Sequence, residues 1–356
     1  MSPLAPDGDR RSGPRTIAEI AAATGFSRTT VRFVVSGQAE RHRIGAETRR
    51  RIEAYVAAHG LLVDHTARSL RTRRSDAVGL VVPDLANPFF ARLTAELEES
   101  CRTTGRVLLT ASSHEDPDRE ARAVGGLVGR GVDGLVVAPC RPPAAFRGLR
   151  RGRGLALVFV DRAHPDPLWP VVVGDNAEAA ETLARRLAEI AAAPVDFLCA
   201  CPRLPSIAER LDGYRRADVC GGDPPDARVH AADADTAEAG AALMADLLDR
   251  RGAPPPAFMC SSLLVLEGAL RALVERLGGL PPDLVVGTFD HHPLLDALPI
   301  RILSVRQDER GIAEQAFACL VEQMEGAPPS PTRFVRPGRL VEPRPSAGRL
   351  SRGERP

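Results

Sequence analysis

Thr16-Ile-Ala-Glu-Ile-Ala-Ala-Ala-Thr-Gly-Phe-Ser-Arg-Thr-Thr-Val-Arg-Phe-Val-Val-Ser-Gly37 reads as two short helical patterns separated by one glycine. Ile17, Ile20 and Ala21 recur at helical spacing, and Gly25 permits a tight turn. Phe26, Val31 and Val34 are spaced to pack back against the first helix. Thr16, with Glu19 three residues on, forms a capping box that starts a helix over 16–23. The second helix is expected over 27–35. Ser27, Arg28, Thr29 and Thr30 are left exposed at its start, the position that a helix-turn-helix presents to base edges in the major groove. Arg28 offers a fork for guanine O6 and N7, and a threonine methyl suits the thymine methyl. The same pattern fits a small three-helix module whose Arg28 is merely solvated.

Outward from this stretch, a third helix is expected over 47–59, with Ile52 and Val56 on one face and arginines beside them. Residues 1–14 lack periodicity and read as a disordered start, so the head is 15–62. Residues 1–75 hold 14 Arg against 7 Asp or Glu, a balance of +7. With a net charge of +1 for the chain, the remaining 281 residues carry −6. A basic head on an acidic body is what a polyanion-binding module joined to a regulatory domain shows. The chain contains no lysine, so any phosphate must be held by arginine, backbone amides, hydroxyls or protonated histidine.

From residue 76 the pattern changes to short apolar runs alternating with helical stretches. Ala77-Val-Gly-Leu-Val-Val82, Gly134-Leu-Val-Val-Ala138, Leu155-Ala-Leu-Val-Phe-Val160 and Leu284-Val-Val-Gly-Thr-Phe289 are examples; 90–102, 177–192 and 263–277 are each long enough for a helix. Buried strands alternating with helices indicate parallel sheets covered on both faces. Eight or more strands over this length fit two α/β subdomains better than one. From Gly326 the chain is proline-rich, with room for a closing strand and a tail over 346–356.

Several function classes are disfavoured. No apolar stretch approaches the roughly 18 residues that span a bilayer, and Met1 to Arg15 has no secretory apolar segment, so a cytoplasmic protein with no membrane partner is expected. The seven cysteines show no CxxC pair and no zinc spacing; they read as buried free thiols. GxSxG, a Walker loop, GxGxxG after the first strand and HExxH are all missing. Neither an enzyme, a metal site nor a cofactor is expected.

The basic segment Asp64-His-Thr-Ala-Arg-Ser-Leu-Arg-Thr-Arg-Arg74 would alone be a polar linker. Beside the helix-turn-helix it resembles the hinge helix of the LacI family. Pro83-Asp-Leu-Ala-Asn-Pro-Phe-Phe90, Gly131-Val-Asp-Gly-Leu135, Phe159-Val-Asp-Arg162, Arg210-Leu-Asp-Gly-Tyr214 and Gly287-Thr-Phe-Asp290 follow in that family's order. The resemblance runs from residue 16 to about 345. Ser27-Arg-Thr-Thr30, Gly37-Gln-Ala-Glu-Arg-His-Arg43 and Leu204-Pro-Ser206 are similar to its fructose-repressor branch. The resemblance implies an all-α helix-turn-helix head and an α/β core of periplasmic-binding-protein type, built from two doubly wound parallel-sheet subdomains. It divides the chain into a hinge at 63–75 and an effector-binding domain at 76–345. Within that domain, subdomain 1 would be 76–173 with 304–328, and subdomain 2 would be 174–303 with 329–345.

The implied partners are double-stranded operator DNA, a small sugar or sugar-phosphate effector, and a second copy of the chain in a homodimer or tetramer. DNA contacts would come from Thr16, Ser27, Arg28, Thr29, Thr30, Arg32, Phe33 and Arg43, with Ala67, Arg68 and Leu70 of the hinge in the minor groove. Effector contacts would come from Phe89, Phe90, Ser112, Asp161, Arg162, Arg210, Ser262, Asp290 and His291. Two arginines in one cleft suit a phosphorylated sugar, because bidentate charge-assisted pairs are strong. Each also has a plainer reading: the phenylalanines as core, the arginines as surface, Asp290 as a helix cap. Asp290-His-His-Pro departs from the branch's pattern of Gly, Asp and Asn, and His291 could alter ligand choice or add pH sensitivity. Another sugar or a nucleoside remains an alternative effector, as does a sugar-binding protein that does not bind DNA.

Overall fold

The computed structural model describes residues 15–62, 74–150, 155–165 and 168–342. It separates into two units, Met1–Ser75 and Asp76–Pro356. The expected hinge contacts Ala67, Arg68 and Leu70 lie outside the described residues.

In the first unit, α1 (Ile17–Thr24), α2 (Arg28–Val35) and α3 (Ala46–His59) enclose a small core. The capping box forms: the Glu19 N–H donates to Thr16 Oγ1 at 3.3 Å, and the Thr16 N–H donates to Glu19 Oε2 at 2.8 Å. Gly25 ends α1 at φ 76°, a left-handed conformation that glycine adopts without steric cost. Ser27 then caps α2, its hydroxyl accepting from the Thr30 N–H at 3.0 Å. Ile20, Val31 and Ile52 are completely buried, one from each helix. Each contributes roughly 1.5–3 kcal/mol of burial, which holds the trihelical unit together. A two-residue parallel ladder, β1 (Arg15–Thr16) with β2 (Leu61–Leu62), ties its ends.

The second unit has two six-stranded sheets. The first contains β3 (Ala77–Val82), β4 (Val107–Ser112), β5 (Gly134–Val137), β6 (Ala156–Val160), β7 (Val171–Gly174) and β13 (Arg333–Arg336), in the order β13-β7-β6-β5-β3-β4. The other contains β8 (Asp196–Ala200), β9 (Val229–Ala232), β10 (Ala257–Cys260), β11 (Val285–Phe289), β12 (Arg301–Arg306) and β14 (Arg339–Val341), in the order β14-β12-β11-β10-β8-β9. Every pairing is parallel except β12 with β14. Strands such as β3, β6 and β11 are buried along their whole length because helices cover both faces.

These helices are α4 (Pro88–Thr103), α5 (Pro117–Gly129), α6 (Asn176–Ala191), α7 (Pro205–Ala217), α8 (Ala237–Arg251), α9 (Leu263–Leu277) and α10 (Glu309–Met324). Helices α8 and α9 meet closely at two glycines. A Cβ on Gly268 would stand 1.8 Å from the Ala237 carbonyl oxygen, and one on Gly240 would stand 2.2 Å from that of Val265.

The pairing corrects the expected subdomain boundaries. Arg301–Arg306 lies beside β11 in the second sheet, so the chain returns to the first lobe after 306 rather than before 304. Arg333–Arg336 pairs with β7 and belongs to the first sheet, so 329–345 is divided between the lobes. The reason is packing: α10 buries Ile312, Ala316 and Leu320 against β3, β5 and β6, and the strand that follows it completes the same lobe's edge.

The chain therefore passes between lobes three times, after β7, after β12 and after β13. The three passages touch. The Gly338 N–H donates to Asp175 Oδ1 at 2.8 Å, a Cβ on Gly338 would lie 3.0 Å from the Arg306 carbonyl oxygen, and one on Gly174 would lie 3.0 Å from Gln307 Oε1.

Candidate functional site

In each sheet the strand order reverses beside the first strand, and in such sheets the loops diverge there to leave a crevice at the carboxyl ends. A cleft of about 460 Å³ opens at those ends, between the lobes. Four helices begin at it: Asn87, Leu204, Thr236 and Ser262, which precede α4, α7, α8 and α9, all line it. Helix N-termini present amides and a positive dipole end to whatever binds.

Seven expected residues line the cleft: Phe89, Phe90, Asp161, Arg162, Arg210, Ser262 and Asp290. Arg210 is 4 % exposed. It donates from Nε to Asn176 Oδ1 at 2.9 Å and from Nη1 to the Ser261 carbonyl at 2.7 Å, and its guanidinium carbon lies 3.9 Å from the Phe289 ring centroid. These contacts aim the guanidinium. Arg162, 3 % exposed, is clasped by Glu115: Nη1 donates to Oε2 at 2.8 Å and Nη2 to Oε1. Burial opposes the Arg162 charge, but the Glu115 carboxylate outweighs it and holds the guanidinium above its ordinary value. Phe89 and Phe90 meet edge to face at 5.0 Å and serve both as core of the first lobe and as cleft wall.

The carboxylates have distinct settings. Asp161 and Asp290 sit at φ 65° and 66°, left-handed conformations that turn the chain sharply at the strand end. Ser206 Oγ lies 3.3 Å from Asp161 Oδ2, bonding across the two lobes, while Gln307 Nε2 donates to Asp290 Oδ1 at 2.6 Å. Burial pushes Asp290 up, against the pull of Arg210. Burial also pushes the Asp235 carboxyl up to about 6, although the Ser262 hydroxyl donates to it at 2.6 Å.

Two expected effector residues fall elsewhere. Ser112 ends β4, and the residues after it that reach the cleft are His114 and Glu115. Their backbones are left-handed, at φ 52° and 57°, which extends the turn by two residues. His291 is buried next to Asp290 but faces the neighbouring strand, its Nδ1 2.9 Å from Ser304 Oγ. Burial, reinforced by Arg306, lowers its pKa, which works against the expected switch near neutrality. Asp84, Glu115, Asp235, Glu238, Glu267 and Gln307 also line the cleft and were not anticipated. With Asp161 and Asp290 the lining holds seven carboxyl groups against Arg162, Arg210 and His114. Carboxylates accept hydrogen bonds from hydroxyls and guanidinium groups donate to anions, so the cleft suits a polyhydroxylated molecule with one acidic end.

On the head, Ser27, Arg28, Thr29 and Arg32 are exposed, and Thr30 is half-buried with its hydroxyl 2.9 Å from that of Ser27. Phe33 stacks on His42 at 3.5 Å between ring centroids, with Arg32 5.6 Å from the Phe33 ring centroid. Arg43 is exposed in a left-handed turn at φ 53°. Thr16 is half-buried and occupied in the capping box.

Two parallel-sheet lobes joined by three passages and closing on a cleft define a ligand-binding core of the periplasmic-binding-protein class. Residues 78–328 match the family model described as periplasmic binding protein domain. The chain belongs to the LacI family of transcriptional regulators. It is 33% identical over 308 residues to the catabolite repressor/activator of Salmonella typhimurium, covering 86% of this chain and 91% of that one. It is 32% identical over 326 residues to the sucrose operon repressor of Klebsiella pneumoniae, covering 91% and 97%. The solved structure of the Cra transcriptional dual regulator from Pseudomonas putida in complex with fructose 1-phosphate superposes with a TM-score of 0.68 at 28% identity, over 75% of this chain and 98% of that one. Among the described residues, no helix is long and apolar enough to cross a membrane.

Proposed function

We propose that this regulator is a sequence-specific repressor whose operator affinity is set by a phosphorylated fructose bound between its lobes. The observation that carries the effector reading is the pair of buried guanidinium groups, Arg162 and Arg210, in a cleft that four helices address with their N-termini. An anion gains bidentate partners there, and the carboxylates accept from sugar hydroxyls. Recognition of DNA would fall to Ser27, Arg28 and Thr29 at the start of α2, supported by Thr16, Thr30, Arg32, Phe33 and Arg43. The hinge residues Ala67, Arg68 and Leu70 would enter the minor groove, Leu70 as a wedge. A homodimer, alone or paired into a tetramer, would set two α2 helices on successive major-groove turns. Effector binding, by changing the angle between lobes, would couple to operator affinity by about 1–3 kcal/mol.

The excess of carboxylates supports a second reading, an uncharged sugar or nucleoside. One experiment separates the two. The purified chain is melted with fructose 1-phosphate, fructose 1,6-bisphosphate and fructose, and the ligand that stabilises it is then added to complexes with sites selected from random duplex DNA. Stabilisation by a phosphate ester, with release of the selected site, is expected. Stabilisation by the uncharged sugar alone would transfer the case to the second reading, and failure to select any duplex sequence would end both.

A further inference from the structure

The cleft already contains an anion of its own. Glu115 grips Arg162 through both guanidinium Nη atoms, in the fork-to-fork arrangement that a phosphate group would use. The two partners differ in freedom: Arg162 is 3 % exposed, whereas the Glu115 side chain is 36 % exposed and has solvent to move into. Glu115 follows His114 in a pair of left-handed non-glycine residues, a backbone conformation that L side chains rarely adopt. Without Glu115, Arg162 retains the Pro139 carbonyl at 3.4 Å and Asp161 Oδ2 at 3.6 Å from its Nε, so a vacated Arg162 stays in place.

We propose that Glu115 is a specificity-determining residue, an internal competitor that occupies Arg162 until an effector phosphate displaces it. This rests on the reading of a phosphorylated effector given above. The exchange leaves the charge on Arg162 paired and moves one carboxylate out of a lining that holds seven. It also sets a threshold. A ligand carboxylate only equals the group it replaces, whereas a phosphate brings up to two negative charges and three acceptor oxygens. An uncharged sugar cannot make the exchange and binds beside an intact Arg162–Glu115 pair.

Calorimetric titration of the full chain and of Glu115→Gln tests this with three probes: fructose 1-phosphate, inorganic phosphate and fructose. The substituted side-chain amide keeps an acceptor without the charge, so both anions are expected to bind the variant about tenfold more tightly, while fructose affinity stays unchanged. Glu115→Asp, whose shorter side chain keeps the charge but loses the reach for two-point pairing, should fall between and guards against misfolding of the first variant. An anion that binds both proteins with equal affinity, a gain shared by fructose, or binding of neither anion would overturn the proposal. The two readings fail separately. Fructose 1-phosphate binding without a gain removes Glu115's role and leaves the effector assignment standing. A gain for inorganic phosphate with no response to fructose 1-phosphate does the reverse.

Discussion

Arg28 stands exposed in the first turn of α2, beside a Ser27 hydroxyl already committed to the helix cap. Its loss would therefore test the proposed base contact without loosening the helix. Arg28→Ala should weaken binding to a selected duplex by about 1–3 kcal/mol and relax preference at one base pair. Competition titrations against singly substituted sites check this; equal losses on selected and random DNA would make Arg28 a phosphate contact instead. Asp235 makes a pH prediction. Its carboxyl, raised by burial to about 6, holds its proton more tightly in the fold than in the unfolded chain, where it titrates near ~3.9. Its contribution to stability is thus complete below the unfolded value and is lost as pH rises through about 6. Asp235→Asn, which can still accept from Ser262, should melt higher than the native chain at about pH 7.5, with the difference shrinking toward pH 4. A pH-independent difference would show that Asp235 does not titrate in that window. The seven expected residues that line the cleft were those the family resemblance implied; of them, Asp161 and Arg162 after β6 and Asp290 after β11 also end long apolar runs. Successive residues at a strand end face opposite ways, so nothing in the sequence told Asp290 from His291, or Ser112 from Glu115 further along the same turn.

At the scale of elements, α8 and α9 begin at the cleft and touch through Gly240 and Gly268. A methyl group on Gly268 meets a backbone carbonyl at 1.8 Å, which no rotamer change relieves. Gly268→Ala should cost about 1–3 kcal/mol in urea unfolding and weaken effector binding too, because Thr236 and Ser262 would shift with their helices. Unchanged stability would mean that the two helices are free to part. Long, uniformly apolar strands such as β3 and β6 announced themselves, as did the helices of the head through Thr16, Glu19 and Gly25. β9 did not: Val229-His-Ala-Ala232 is a half-exposed edge strand with small side chains, and Asp235, which follows it, went unnoticed with it. The same limit explains the boundary errors. Whether Arg301–Arg306 and Arg333–Arg336 join one sheet or the other depends on pairing between distant segments, which no local pattern records.

At the scale of the molecule, charge is divided: +7 in residues 1–75 against −6 in the remainder. Operator binding should therefore fall steeply with salt, by about 10³-fold or more between ~50 and ~200 mM for a dimer neutralising at least six or so phosphates. The slope of log affinity against log salt measures this, and a slope near zero would remove the electrostatic role of the head. The three passages between lobes set a different kind of limit. Two bodies tied by a single cord can swing in any direction, but three cords lying against one another leave only the movement of a book about its spine. Whatever lodges between the pages is thereby recorded as one angle, and a molecule that touched a single page, however tightly, would leave the book as it found it.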